Sequence, residues 1–227
     1  RSRQLFFSPD YPVTPKLYAS ARGDFATRRE RMGDLWARTM PLPRGHAFEP
    51  TGEDDVVALS LPDVIPNGYA TGHVARAACE GSGKRLCKLS EWRRACRGED
   101  NTLYPYGPTL TPPRCHIDRR EHPAALLHDN ASVGHLDPRL NRVEVGGEPL
   151  LGRTGARPGC ASRWGADAIF DMVGNLDEWI DEKGGAFAGG FYGRSSRSGC
   201  EALIGNHPEG YLDYSTGVRC CRDATAP

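Results

Sequence analysis

The chain has 227 residues, enough to bury a sizeable core in one loop-rich domain, so a second domain is not required. Its 29 Lys and Arg balance 29 Asp and Glu, which leaves no basic field for nucleic acid or an anionic membrane. With 27 Gly and 18 Pro the composition excludes a helical bundle and predicts short elements joined by long loops, while 8 Cys in an even count fit an oxidising compartment where disulfides hold such loops.

In chain order, residues 1–23 read as irregular. Asp24 can cap a helix in DFATRRERMGDLWARTM, where Phe25, Met32, Leu35 and Trp36 fall near one face. Residues 1–58 are taken as an N-terminal extension carrying this amphipathic helix and packing on a main domain of residues 59–227. DVVALSL (Asp55 to Leu61) has the β-branched, apolar character of a short buried strand. A helix is predicted from Thr71 to Glu80, with Val74, Ala75, Ala78 and Cys79 inward and Gly81 and Gly83 as stops. A second runs from Leu89 to Arg97, where Trp92, Ala95 and Cys96 share a face and Gly98 ends the helix. Tyr104 to Gly165 reads as one long loop, bracketed by Cys115 and Cys160 and therefore functional or pinned. AIFDMVGNLDEWID, GGAFAGGFYGR and GYLDYSTGVRCC follow, with strand character at Phe191-Tyr192 and Val218 to Cys220.

No run reaches the roughly 20 apolar residues of a membrane span, and RSRQLFFSPD lacks the apolar core of a signal. An exported chain would already have lost that signal. No CxxC spacing supports zinc. The arginines of ATRRERMG and EWRRACRG are interleaved with Glu, the pattern of a solvated face rather than a nucleic-acid interface. His116, His122, His128 and His135 recur every six or seven residues. Imidazoles can hold a metal, but without a shared element they read as surface residues. Asn130-Ala131-Ser132 is a glycosylation sequon that matters only in a eukaryotic secretory host.

GKRLCKLSEWRRACRG, YPYG, IFDMVGNLDEW, AGGFYGR and GVRCC occur in this order between Leu61 and Arg222. Together they resemble the formylglycine-generating enzyme, or sulfatase-modifying-factor, family, in its cysteine-rich exported bacterial branch. The resemblance implies an α+β fold, a loop-rich, disulfide-stapled variant of the C-type-lectin-like architecture. It also implies the bridges Cys79–Cys220 and Cys96–Cys200. The other four cysteines allow three pairings, of which Cys87–Cys221 with Cys115–Cys160 is favoured because the latter two bracket the long loop.

Catalytic members of the family oxidise a substrate cysteine with molecular oxygen on copper(I) held by two thiolates, soft ligands that suit this ion. The matching segment here is GGFYGRSSRSGC, whose single cysteine, Cys200, takes the structural position. Copper is therefore not expected, and no catalytic residue is assigned. Ser215 stands where the family has an asparagine of its substrate groove, and Asp177 where it has a tryptophan. Tyr192, Arg194, Ser195 and Ser215 are the candidate groove residues. Trp164, Trp179, Phe191, Tyr192, Tyr211 and Tyr214 come from segments that the family gathers near that groove. A structural calcium is implied at DMVGNLDEW, with Asp171 and Glu178 giving side-chain oxygens and Gly174 and Leu176 giving carbonyls. A second family calcium site begins at an Asn-Ile pair that is His116-Ile117 here, and it is not carried over.

The expected function is a non-catalytic recognition or structural module, secreted, periplasmic or attached to the cell envelope as a lipoprotein would be. It would bind a protein, peptide or glycan, in effect as a pseudoenzyme. The alternative is an oxidoreductase of the same family that uses a non-copper metal or another groove chemistry.

Overall fold

The computed structural model describes residues 56–132, 134, 135, 137, 139–194, 197–205 and 207–223. The helix expected after Asp24, and the extension that carries it up to residue 55, lie outside them. Thr71 starts helix α1 (Gly72–Gly81), its side chain accepting from the Val74 N–H at 3.0 Å. Gly72, Ala75, Ala78 and Cys79 form the buried side, while Val74 is only half-buried. The expected strand at residues 55–61 does not form over its described residues, 56–61. Leu59 and Leu61 are exposed, and the Ala58 backbone bonds to the end of α1 through Ala78 O and Ser82 Oγ. A β-branched run becomes a strand only beside a sheet edge, and this one meets a helix end.

Strand β1 (Arg85–Leu86) leads into helix α2 (Leu89–Arg97). Glu91 reaches back to the Lys88 N–H at 2.9 Å, and Arg85 grips the same carboxylate with two contacts of 2.7 Å. Trp92 and Cys96 are its buried side, and Gly98 ends it at φ 64°.

The stretch from 104 to 165 is less loop-like than its composition suggests. It holds helix α3 (Pro123–His128), a 3-10 turn (Leu140–Arg142), and the hairpin β2 (Glu144–Val145) and β3 (Glu148–Pro149). Pro123 sits at the helix start, where its missing N–H costs nothing. Gly146 and Gly147 both take positive φ, as a two-residue hairpin turn requires.

Strands β4 (Ala161–Trp164) and β5 (Asp167–Phe170) form a second hairpin. The main sheet has the order β8 (Leu203–Ile204), β7 (Ala186–Ala188), β6 (Asp177–Ile180), β9 (Thr216–Val218). Its β6–β9 pair is parallel, and all four β6 residues are buried. Phe191 and Tyr192 are not in a strand, because Gly189 and Gly190 turn the chain out of β7 at φ 91° and 76°. The terminal strand β10 (Cys220–Cys221) pairs with β1.

Four disulfides tie these pieces together: Cys79–Cys220, Cys87–Cys221, Cys96–Cys200 and Cys115–Cys160. The first and third are the pairs that the resemblance implies, and the other two are the pairing favoured by the long loop that Cys115 and Cys160 bracket. The molecule is thus a mixed α+β fold of few short helices and small sheets held by four bridges.

Candidate functional site

Strand β6 places two carboxylates side by side in the core, and successive residues of a strand point to opposite faces. Glu178 meets α2, where its Oε2 accepts from Trp92 Nε1 and from Arg219 Nε, both at 2.7 Å. Asp177 turns toward the segment after β7. There Arg194 Nη1 and Nη2 lie 3.2 and 3.1 Å from its two oxygens, and the Gly190 N–H also bonds to the carboxylate. The Asp177 N–H donates to Ser215 O, so β9 brings Ser215 beside it.

Ser215 is itself buried. Its N–H and Oγ both donate to Asp213 Oδ1 at 2.7 Å, while Tyr211 donates to Asp213 Oδ2 at 2.6 Å. Burial, with Asp213 adding its charge, raises the Tyr211 and Tyr214 hydroxyls well above their ordinary values. Tyr192 is fully buried, and its hydroxyl has no hydrogen-bond partner among the described residues. Its N–H donates to Asn175 O at 3.1 Å and its carbonyl accepts from Arg119 N at 2.9 Å. Arg194 lies over the Phe191 ring, 5.0 Å from its centroid. Tyr192, Arg194 and Ser215 therefore surround the Asp177–Asp213 pair, and Ser195 lies outside the described residues. Sequence reasoning marked Asp177 only as a departure and missed Asp213.

The turn before β6 winds through positive φ at Asp171, Gly174 and Asn175. Asn175 clamps the turn to Gly152, accepting from its N–H at 2.9 Å and donating to its carbonyl at 3.0 Å. Asp171 Oδ2 accepts from the Gly155 N–H at 2.7 Å, and burial pushes its carboxyl up, with Arg219 opposing and Glu178 adding to the shift. Asp171 Oδ1 and Glu178 Oε1 receive no hydrogen bond from another described residue. With the Gly174 and Leu176 carbonyls these are the hard oxygen donors that the resemblance implies for calcium. Among the described residues no three His, Cys, Asp or Glu side chains gather as a metal cluster.

The four histidines have separate surroundings. His116 is buried, with Nε2 2.6 Å from Leu150 O and Nδ1 accepting from Arg157 Nε at 3.2 Å. It therefore carries its proton on Nε2, and burial pushes it down to about 4. His122 Nε2 bonds the Tyr214 hydroxyl at 2.9 Å, and His135 Nε2 reaches Ala131 O at 2.8 Å. The rings of these two are 6.5 Å apart. His128 pairs with the fully buried Asp137 at 3.1 Å.

No family model and no curated protein matches the chain. Among solved structures 22 chains match, and one, the crystal structure of CarF, shows 19% identity over 62% of this chain and 48% of that chain. The chain thus spans about half the length of CarF. The TM-score is 0.37, too low to carry either fold or function across. No helix among the described residues is long and apolar enough to cross a membrane.

Proposed function

We propose that this protein is a non-catalytic recognition module, exported to an oxidising compartment or the cell envelope, on a formylglycine-generating-enzyme-like variant of the C-type-lectin-like scaffold. It binds a protein, peptide or glycan on the Asp177 side of β6. One observation carries this reading: all eight cysteines of the chain are bridged. The segment where the resemblance puts copper thiolates offers Phe191, Tyr192 and Arg194 instead. Copper(I) has no soft ligand pair there.

A structural calcium belongs to the same proposal, held by Asp171, Glu178 and the Gly174 and Leu176 carbonyls. Bound there, it would lock the turn that enters β6. Two carboxylates and the neighbouring Arg219 leave a net charge of about −1, which favours weak rather than tight binding.

The test is oxygen consumption by protein loaded with copper(I), with a cysteine-bearing peptide as substrate, beside elemental analysis of protein never exposed to chelators. No uptake above the protein-free control is expected. Thiol-dependent uptake with a stoichiometric redox metal would instead favour an oxidoreductase. For that second reading the supporting observation is His122, which lies near His135 and whose buried Nδ1 has no partner among the described residues.

A further inference from the structure

Asp177 is 1% exposed, yet it lines a cleft of about 160 Å³ with Gly190, Arg194, Ser198, Ala202, Leu203 and Ile204. The polar end of this cleft is one hydrogen bond short. Asp177 Oδ2 has Arg194 Nη2 at 3.1 Å but no hydrogen bond from any described residue, and the Arg194 contact to Oδ1 is 3.2 Å. Charge-assisted pairs normally close to about 2.7–2.9 Å, so Arg194 does not saturate the carboxylate.

Charge is also unbalanced. Asp213 interacts electrostatically with Asp177, and its hydrogen-bond donors are the uncharged Tyr211 hydroxyl and the Ser215 N–H and Oγ. Among the described residues Arg194 is the guanidinium that contacts Asp177, and no cation bonds to Asp213. An incoming anion would deepen the deficit, whereas one added cation closes it. The rest of the lining is mixed: Ser198 is polar, while Ala202 and Ile204, alternate residues leading into and along the edge strand β8, form an aliphatic side. A buried acid beside an aliphatic wall matches a long alkyl stem that ends in a compact three-donor head.

We propose that this cleft receives the side-chain ammonium of a lysine in a partner peptide. The ammonium donates to Asp177 Oδ2 while its stem lies along Ala202 and Ile204, on the Asp177 face of the sheet. This rests on the reading of the chain as a recognition module and names what that module recognises. Arg194 stays on Oδ1, held against the Phe191 ring, and acts as a positioning residue.

The experiment is an NMR titration of the ¹⁵N-labelled protein with Nα-acetyl-lysine methylamide, its norleucine isostere and its glutamate counterpart. The lysine compound should shift the Gly190 and Leu203 amides in a saturable manner with a Kd on the order of 1 mM. Norleucine should bind about tenfold more weakly or worse, and Asp177→Asn should cost the lysine compound about tenfold, the loss expected from one charged hydrogen bond. Equal binding of lysine and norleucine, unchanged binding by Asp177→Asn, or no shift with any compound overturns the proposal. A preference for glutamate also overturns it but leaves the recognition reading standing. That reading falls separately, on thiol-dependent oxygen uptake.

Discussion

Asp177 and Glu178 are neighbours on one buried strand, yet the protein treats them in opposite ways. Glu178 takes two donors at 2.7 Å on one oxygen and ties α2, β6 and the strand end at Arg219 into one unit. Around it lie Trp92 and Cys96, with the Cys96–Cys200 bridge closing the same side. Asp177 has longer contacts, a half-exposed cation and, among the described residues, an oxygen without a hydrogen bond at a cleft. One carboxylate is spent on the scaffold and the other is left under-satisfied. Buried polar groups that are fully paired specify a structure, whereas incompletely paired ones are where a ligand can still add a bond.

The scaffold side should break most expensively. Replacing Cys96 and Cys200 together by Ser opens a bridge between residues 104 apart in sequence, and the chain-entropy model assigns such a loop about 4–5 kcal/mol. Thermal unfolding should show a fall of about 10 °C or more for a domain of this size. Glu178→Ala comes next, because it strands the Arg219 guanidinium and the Trp92 N–H, at a cost of about 3 kcal/mol. Glu178→Gln, which keeps an acceptor for Trp92, should lose roughly half of that. A Glu178→Ala variant as stable as the parent would mean that both sides of β6 are equally slack.

The scaffold was more legible in the sequence than the site. The ends of α2 were readable because Glu91 and Gly98 mark them chemically, and the cysteines fell into register with the family resemblance. Helix α3 and the β2–β3 hairpin were hidden inside an apparent loop, although Pro123 followed by AALL and the Gly146-Gly147 pair were local signals for both. The run at 55–61 misled because its pattern reports apolar alternation, while whether a sheet edge waits beside it is a tertiary fact. Asp177 had a signal too: two adjacent acids in NLDEWI, inside an otherwise apolar strand, must each find a buried partner on opposite faces. What no spacing could reveal was that Asp213, 36 residues further on, would share the Asp177 environment through the parallel β6–β9 pairing.

Two buried groups, Asp177 and His116, also predict opposite pH slopes. Burial pushes Asp177 up to about 7 from 3.8, Arg194 opposing and Asp213 adding to the shift, so the unfolded chain releases this proton first. Its contribution to stability falls as pH rises from about 4 to 7, and the full penalty persists above that. His116 runs the other way: pushed down to about 4 from 6.5 by burial, it contributes stability above pH 6.5 that is lost as pH falls toward 4. Between pH 4 and 6.5 the two slopes offset each other. Asp177→Asn should uncover a stability that rises with pH across this window and should raise stability at pH 8 by about 1–3 kcal/mol. His116→Gln should uncover a falling slope. Urea titrations at half-unit pH steps measure both, and parallel profiles for the two variants would contradict the assigned environments.

The smallest change is the most discriminating between a merely structural Asp213 and one that shapes the cleft. Ser215→Ala removes one of three donors from Asp213 and leaves the Ser215 N–H and Tyr211 hydroxyl in place, so stability should fall by only about 1 kcal/mol. Losing a donor leaves the Asp213 carboxylate less neutralised beside Asp177. Binding of the lysine compound should then strengthen modestly even as stability drops, because the cation now meets a more negative pair. A structural role alone would move only the stability. Urea unfolding and the NMR titration on this one variant therefore separate the two sides of β6 more finely than any larger cut.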